Sequence, residues 1–308
     1  MSIAPEVRSI PQAYHDLLEG RTCAVLSTVM PDGQPQSTVV WCDVDGDCVL
    51  INTMRGFRKE RNMRADPRVA WLAYDPREPL RYLEVRGRVV EMTETGALQH
   101  LDALCERYTG TSPYFGACVP AELRERETPV LCRILPTHVV TLDARGPEPS
   151  GGARVSPAPA PAAGVAPLAA VPIPASHLDL LTLPIHGVLT TLMPGGQPQS
   201  SLVWCDYDGA CARVNTTRER WKGRNMLADP RVSLLIVDPE DTSRYLEIRG
   251  EVEISTEGAL AHLDDITRAY TRHPQYYGYV YPREQQERET RIICRIRAKR
   301  ITLDAIHR

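Results

Sequence analysis

The chain has 308 residues, 43% hydrophobic and 24% charged, with a formal net charge of -3. That balance suits a globular chain of two domains of about 150 residues each. No apolar run reaches the ~18 residues of a membrane span, and a near-neutral charge gives no field for nucleic acid.

The start, Met1-Ser2-Ile3-Ala4-Pro5-Glu6, has neither the basic nor the apolar region of a signal peptide. Nine cysteines is an odd number. A cytoplasmic protein with reduced thiols is therefore expected, rather than a disulfide framework.

In chain order, Ser9, Ile10 and Pro11 predict a helix start and residues 11–19 a short helix. A strand is expected over 22–30, turned by Pro31-Asp32-Gly33. Strands over 36–43 and 48–53 flank Asp45-Gly46, a hairpin signal. Residues 55–65 read as a helix ended by Asp66-Pro67. Strands follow over 69–74 and 80–91. A helix over 96–108 carries Leu98, Leu101, Cys105 and Tyr108 at helical spacing. Residues 130–143 hold the last one or two strands.

The pattern then repeats. Residues 34–87 align without a gap onto 197–250, with 32 identities in 54 positions. The match resumes at Tyr108 with Tyr270, and at Cys132-Arg133-Ile134 with Cys294-Arg295-Ile296. So long a period excludes a solenoid and means one duplicated domain. Residues 146–173 hold seven prolines and eight alanines in 28 positions. They read as an extended linker between a first domain, 1–145, and a second, 174–308.

Of 36 basic side chains only three are lysine: Lys59, Lys222 and Lys299. Two of the three are equivalent in the repeat. Each lies in a basic segment, 55–64 or 218–227, that follows a polar strand end, Asn52-Thr53 or Asn215-Thr216. Clustered cations at a helix start after such a strand suit a phosphate. A charge run is also, more plainly, a solvated helix face. Retained lysine in an arginine-rich chain favours the first reading, because a compact ammonium and a planar guanidinium are not interchangeable.

Trp41 and Trp204 are equivalent and suit either a planar cofactor or core packing. Glu84 and Arg86, like Glu247 and Arg249, share a strand face and suit a structural ion pair. His100 and His262 border an apolar helix face. Cys42, Cys48, Cys205 and Cys211 lack metal-ligand spacing and read as small buried hydrophobes. No metal site is expected. No Rossmann, Walker or nucleophile-elbow motif occurs.

The segments Pro31-Asp32-Gly33-Gln34-Pro35-Gln36, Val39-Val40-Trp41-Cys42-Asp43, Asn52-Thr53 with Lys59 and Asn62, Ala65-Asp66-Pro67-Arg68-Val69 and Arg81-Tyr82-Leu83-Glu84 appear in order, and again in the second copy. Together they resemble the pyridoxamine 5'-phosphate oxidase-like split-barrel superfamily. They look most like its branch that uses the deazaflavin coenzyme F420. The resemblance spans both repeats.

It implies a mainly β chain of two tandem six-stranded split β-barrels, fused as an intramolecular pseudo-dimer and otherwise monomeric. It implies cofactor phosphate held by an Arg-x-Lys pair: Arg220 and Lys222 in the second copy, and Lys59 in the first, where Phe57 replaces the arginine and Arg58 stands beside it. The matching positions add Asn52, Thr53, Arg61 and Asn62, with Asn215, Thr216, Arg224 and Asn225. Gln34, Pro35 and Gln36, with Gln197, Pro198 and Gln199, match the stretch along the ring system, beside Trp41 and Trp204.

The activity implied is reduction of an electron-poor small molecule by F420H2. An FMN-dependent oxidoreductase is the alternative, and a non-catalytic flavin, deazaflavin or haem binder the third reading. Tyr82, Tyr245, Tyr276 and Tyr277 are the candidate proton donors. The resemblance supplies no fixed catalytic side chain.

Overall fold

In the computed structural model, residues 8–144 and 171–304 are described, and they divide into two compact units. Most of the expected linker lies outside the described residues. Its last residues belong to the second unit: the Val171 N–H donates to the Ala298 carbonyl at 2.9 Å, as Arg8 N–H does to Pro136 in the first.

The first unit runs α1 (Asp16–Glu19), β1 (Cys23–Val29), β2 (Pro35–Val40), β3 (Cys42–Asp45), β4 (Cys48–Met54), α2 (Arg58–Ala65), β5 (Arg68–Tyr74), β6 (Arg81–Thr93), α3 (Ala97–Thr109) and β7 (Pro129–Asp143). The second repeats it as α4 (Asp179–Thr182), β8 (Gly187–Leu192), β9 (Pro198–Val203), β10 (Cys205–Tyr207), β11 (Ala212–Thr217), α5 (Trp221–Ala228), β12 (Arg231–Val237), β13 (Tyr245–Ser255), α6 (Ala259–Thr271) and β14 (Arg291–Leu303).

Each unit is one seven-stranded antiparallel sheet, ordered β2-β1-β5-β6-β7-β4-β3 in the first and β9-β8-β12-β13-β14-β11-β10 in the second. The two edge strands, β2 and β3, are separated in sequence by Trp41 alone. Two peptide steps span at most about 7 Å, so the edges must meet and the sheet must curl closed. The single strand expected over 36–43 is therefore broken at Trp41, and seven segments replace the six expected. Trp204 breaks the second copy's strand at the same place.

The barrel interiors hold the cores. Leu26, Ile51, Trp71, Leu83, Val85 and Ile134 are fully buried in the first, and Leu189, Val214, Leu234, Ile236 and Ile248 in the second. Each such aliphatic side chain contributes roughly 1.5–3 kcal/mol by leaving water. Cys42 and Cys205 are buried as expected, and desolvation pushes both thiols up to about 12.

Two expectations need correction. The helix foreseen from residue 55 begins at Arg58, because Gly56 has φ +82° and Phe57 is extended. The thiols are not all free: Cys105 on α3 and Cys118 form a disulfide, while the other seven are free. No helix among the described residues is long and apolar enough to cross a membrane.

Candidate cofactor site

The end of β11 and the start of α5 bring together most of the second copy's predicted residues. Arg220 is the extended residue before α5, its N–H donating to Thr217 Oγ1 at 3.3 Å. Lys222 follows in the first turn, half-buried, with no hydrogen bond or ion pair among the described residues. Desolvation, then the nearby charges of Arg220 and Arg291, push its ammonium down to about 8. Gly223 lets α5 seat there, since a Cβ on it would lie 2.0 Å from the Thr217 carbonyl oxygen.

Arg291 opens β14 opposite Thr217 and is 8% exposed. Its Nε donates to Tyr277 Oη at 2.7 Å and its Nη2 to Glu289 Oε2 at 2.9 Å. Tyr277 Oη donates to the same carboxylate oxygen at 2.7 Å, and burial pushes the phenol up to about 12. Arg220 Nη2 stands 3.5 Å from Glu289 Oε1. Two cations, Arg220 and Arg291, thus share one carboxylate, and the Lys222 ammonium adds to the positive charge beside them.

Thr216 adds a hydroxyl. It lies opposite Ile292 on the inner sheet face, with Cys294 one step along that face. Its Oγ1 is buried without a hydrogen-bond partner. A buried unpaired hydroxyl costs about 1–3 kcal/mol. The donor set of Lys222, Arg220 and Arg291 fits a phosphate ester.

An aromatic wall stands beside it. Trp204 stacks on Tyr270 at 5.2 Å and meets Tyr276 edge-on at 6.1 Å. Its indole N–H donates to His186 Nε2 at 3.0 Å, and burial pushes that imidazole down to about 4, so it stays the acceptor at neutral pH. Trp204 is therefore fixed by packing and a hydrogen bond. Trp221, Tyr279 and Tyr281 are exposed large aromatics near the cations, Tyr281 lying 5.9 Å from the Arg220 guanidinium.

Other predicted residues serve the framework. Asn225 Nδ2 donates to Thr191 Oγ1 at 2.9 Å and Asn62 Nδ2 to Thr28 Oγ1 at 2.9 Å, each also meeting Gln199 or Gln36. These four amides lock the cradle helix to the first hairpin. Asn215 donates to the Ala259 carbonyl at 2.8 Å, and His262 links it to Asp206. Asn52 likewise pairs with His100. The asparagines at the strand ends thus hold α3 and α6.

Gln34 lies in the turn before β2, where its N–H donates to Asp32 Oδ1 at 3.0 Å, and Pro35 begins β2. Gln197 Nε2 donates to the Pro198 carbonyl at 3.3 Å. Arg224 is exposed and donates to the Glu219 carbonyl, and Arg61 is exposed. Glu84–Arg86 and Glu247–Arg249 are ion pairs at 3.4 and 3.2 Å, as their spacing suggested. Tyr276 and Tyr277 are at the cations. Tyr245, whose N–H meets Asp304, and Tyr82 begin the strands β13 and β6.

The first copy is chemically different. Lys59 is half-buried and desolvation pushes it down to about 8, but its nearest aromatic is Phe57, 6.0 Å from the ammonium. Phe57 stands where Arg220 stands, Pro129 where Arg291 does, and Phe115 where Tyr277 does. Met54 and Val119 replace Thr217 and Tyr281. Met54, Phe57, Phe115, Val119 and Trp41 pack in one apolar cluster. Thr53 Oγ1 is buried without a partner, like Thr216. Arg58 is half-buried at the first helical position.

Arg291, Glu289 and Tyr281 escaped the sequence reading. Their signal was the repeat alignment: Glu289-Thr290 matches Glu127-Thr128, and the very next position changes from Pro129 to Arg291. No group of three or more metal-ligating side chains occurs among the described residues.

A fold of two curled, hairpin-linked barrels, each with a lysine-bearing helix after an edge hairpin, defines the split-barrel class. The family model described as pyridoxamine 5'-phosphate oxidase matches residues 10–142 and 173–303, and the chain belongs to that family. Among solved structures, one titled F420 reductase is 31% identical, with a TM-score of 0.37, covering 42% of this chain and 98% of its own. The conserved hypothetical protein Rv2991 of Mycobacterium tuberculosis is 28% identical, with a TM-score of 0.38, covering 50% and 98%. A putative pyridoxamine 5'-phosphate oxidase of Listeria innocua is 20% identical, with a TM-score of 0.30, covering 38% and 86%. A comparison with curated proteins returned no match.

Proposed function

We propose that this protein is an F420H2-dependent reductase acting on an electron-poor small molecule such as a conjugated alkene or a quinone. The observation that carries the reading is the surplus of cations at the start of α5. Arg220 and Arg291 answer to one carboxylate, Glu289, and the Lys222 ammonium lies within the field of both guanidiniums. The resemblance of the motif set to the deazaflavin-using branch supports F420 over FMN.

When bound, the deazaflavin supplies the hydride. The chain does the rest. Lys222, Arg220 and Arg291 hold the phosphate. Trp204 and Tyr276 wall the site with apolar surface, which excludes water and strengthens every charge interaction there. Glu289 keeps Arg291 and Tyr277 in place. Tyr277 commits its proton to that carboxylate and so acts in positioning. Tyr276, under the Arg291 guanidinium at 4.6 Å, is the phenol left to hold a transferable proton. The duplication of a whole domain supports a chain that supplies both copies of a subunit pair itself.

The test is turnover. Reduced F420 should be consumed by the purified chain in the presence of activated alkenes or quinones, and Tyr276→Phe should slow it. An FMN reading gains instead if the protein carries FMN and turns over only with it.

A further inference from the structure

The two copies differ in chemical character where an anion would sit. Over the aligned core 32 of 54 positions are identical. The framework amides Asn62 and Asn225 make the same bonds in both. Random drift would scatter differences over the surface. Around the retained lysine, Thr217, Arg220, Tyr277, Tyr281 and Arg291 of the second copy face Met54, Phe57, Phe115, Val119 and Pro129 of the first, while at the flanking helix positions Arg58 and Glu60 of the first face Trp221 and Gly223.

The apolar replacements are not an open pocket without its ligand. Phe115 and Met54 are 6% and 4% exposed, and they pack with Trp41 and Phe57 over the place where Arg291 and Arg220 reach inward in the second copy. Pro129 brings no side-chain donor. Lys59 keeps its place through its stem and the Phe57 ring. Desolvating a phosphate against that surface would cost several kcal/mol, offset by Lys59 without the counterparts of Arg220 and Arg291. The rim differs too, with aromatic surface on the second copy. The exposed Trp221 and Tyr279 have Arg58 and Ala117 as counterparts.

We infer that the chain carries one phosphate-ester site, not two, built on the second copy, and that the first copy's equivalent is a filled apolar plug. Fusion makes this available, because a homodimer must keep two identical sites and a fused pair need not. The inference rests on the reading above for the identity of the cofactor but not for the count.

Calorimetric titration of the full chain with F420, and separately with FMN, reads that count. The expected result with whichever ligand binds is one equivalent per chain, lost or weakened at least tenfold in Lys222→Ala and retained in Lys59→Ala. Two equivalents per chain would overturn the inference and leave the proposed function standing. One equivalent that depends on Lys59 and not on Lys222 would overturn it equally. One equivalent of FMN with no binding of F420 would support the single site while refuting the F420 assignment. Binding of neither ligand would refute both. The wild-type stoichiometry decides without relying on the folding of any variant.

Discussion

Arg291 donates to Tyr277 across 2.7 Å, and both residues have apolar counterparts in the first copy, Pro129 and Phe115. The pair links the start of β14 to the loop after α6. It also holds Glu289 between two donors, so that this carboxylate only partly cancels the charge of Arg220.

Arg291→Met should therefore weaken anion binding by about 1.5–3 kcal/mol, the range of a hydrogen bond to a charged group. Tyr277→Phe should cost less, near 1 kcal/mol, because it removes one neutral donor. The two should not add, since they share Glu289. A double-mutant cycle on the dissociation constant checks this, and strict additivity would show that the network does not act as a unit.

The pH dependence has two opposite signs. The Lys222 ammonium is pushed down to about 8, so it loses its proton as pH rises through that value. Anion affinity should be level below about pH 7 and fall above 8, by at most about tenfold per unit. Stability of the ligand-free chain should move the other way. The unfolded chain binds more protons between about 8 and the ordinary lysine value of 10.5, so stability rises with pH across that window. Lys59, also at about 8, adds the same sign to stability. The difference between wild type and Lys222→Met, in affinity and in Tm at pH 6.5 and 9.5 (roughly spanning the two regimes), isolates Lys222. Lys222→Met should raise Tm at the lower pH while weakening the anion.

Gly223→Ala should be the most damaging small change in α5. Its Cβ would press on the Thr217 backbone, which belongs to a central ladder and cannot yield easily. Overpacking of this kind costs about 1–3 kcal/mol. The effect should appear both as a lower Tm and as weaker anion binding, because α5 carries Lys222. Glu60 fills the same place in the first copy, so the reverse change there, Glu60→Gly, should leave anion binding unaltered. A Tm for Gly223→Ala equal to wild type would mean that α5 seats differently.

Much of this was legible in the sequence, and the reasons are physical. Turn residues and period-two runs marked nearly every strand, and the duplication marked the domains. The strand break at Trp41 was not legible, because the residues on both sides keep strand character while the barrel closes between them. Lys222 stood out because charge, spacing and scarcity of lysine all pointed one way, and Arg220 through the Arg-x-Lys pair that the resemblance implies. Asn52 and Asn215 were misjudged as phosphate neighbours. A polar residue at a strand end advertises a hydrogen bond but not its partner, and here the partner is the helix that follows. Arg291 was hidden because it lies 69 positions beyond Lys222 in sequence, and only β-pairing with Thr217 brings it to the cradle.

The most direct test of the account is side-by-side binding of F420 and FMN to the purified chain, read by fluorescence, for wild type and Lys222→Ala. The account predicts that F420 binds more tightly than FMN and that Lys222→Ala weakens it by about 1.5–3 kcal/mol. Tighter binding of FMN, or F420 affinity unchanged by the loss of Lys222, would contradict it.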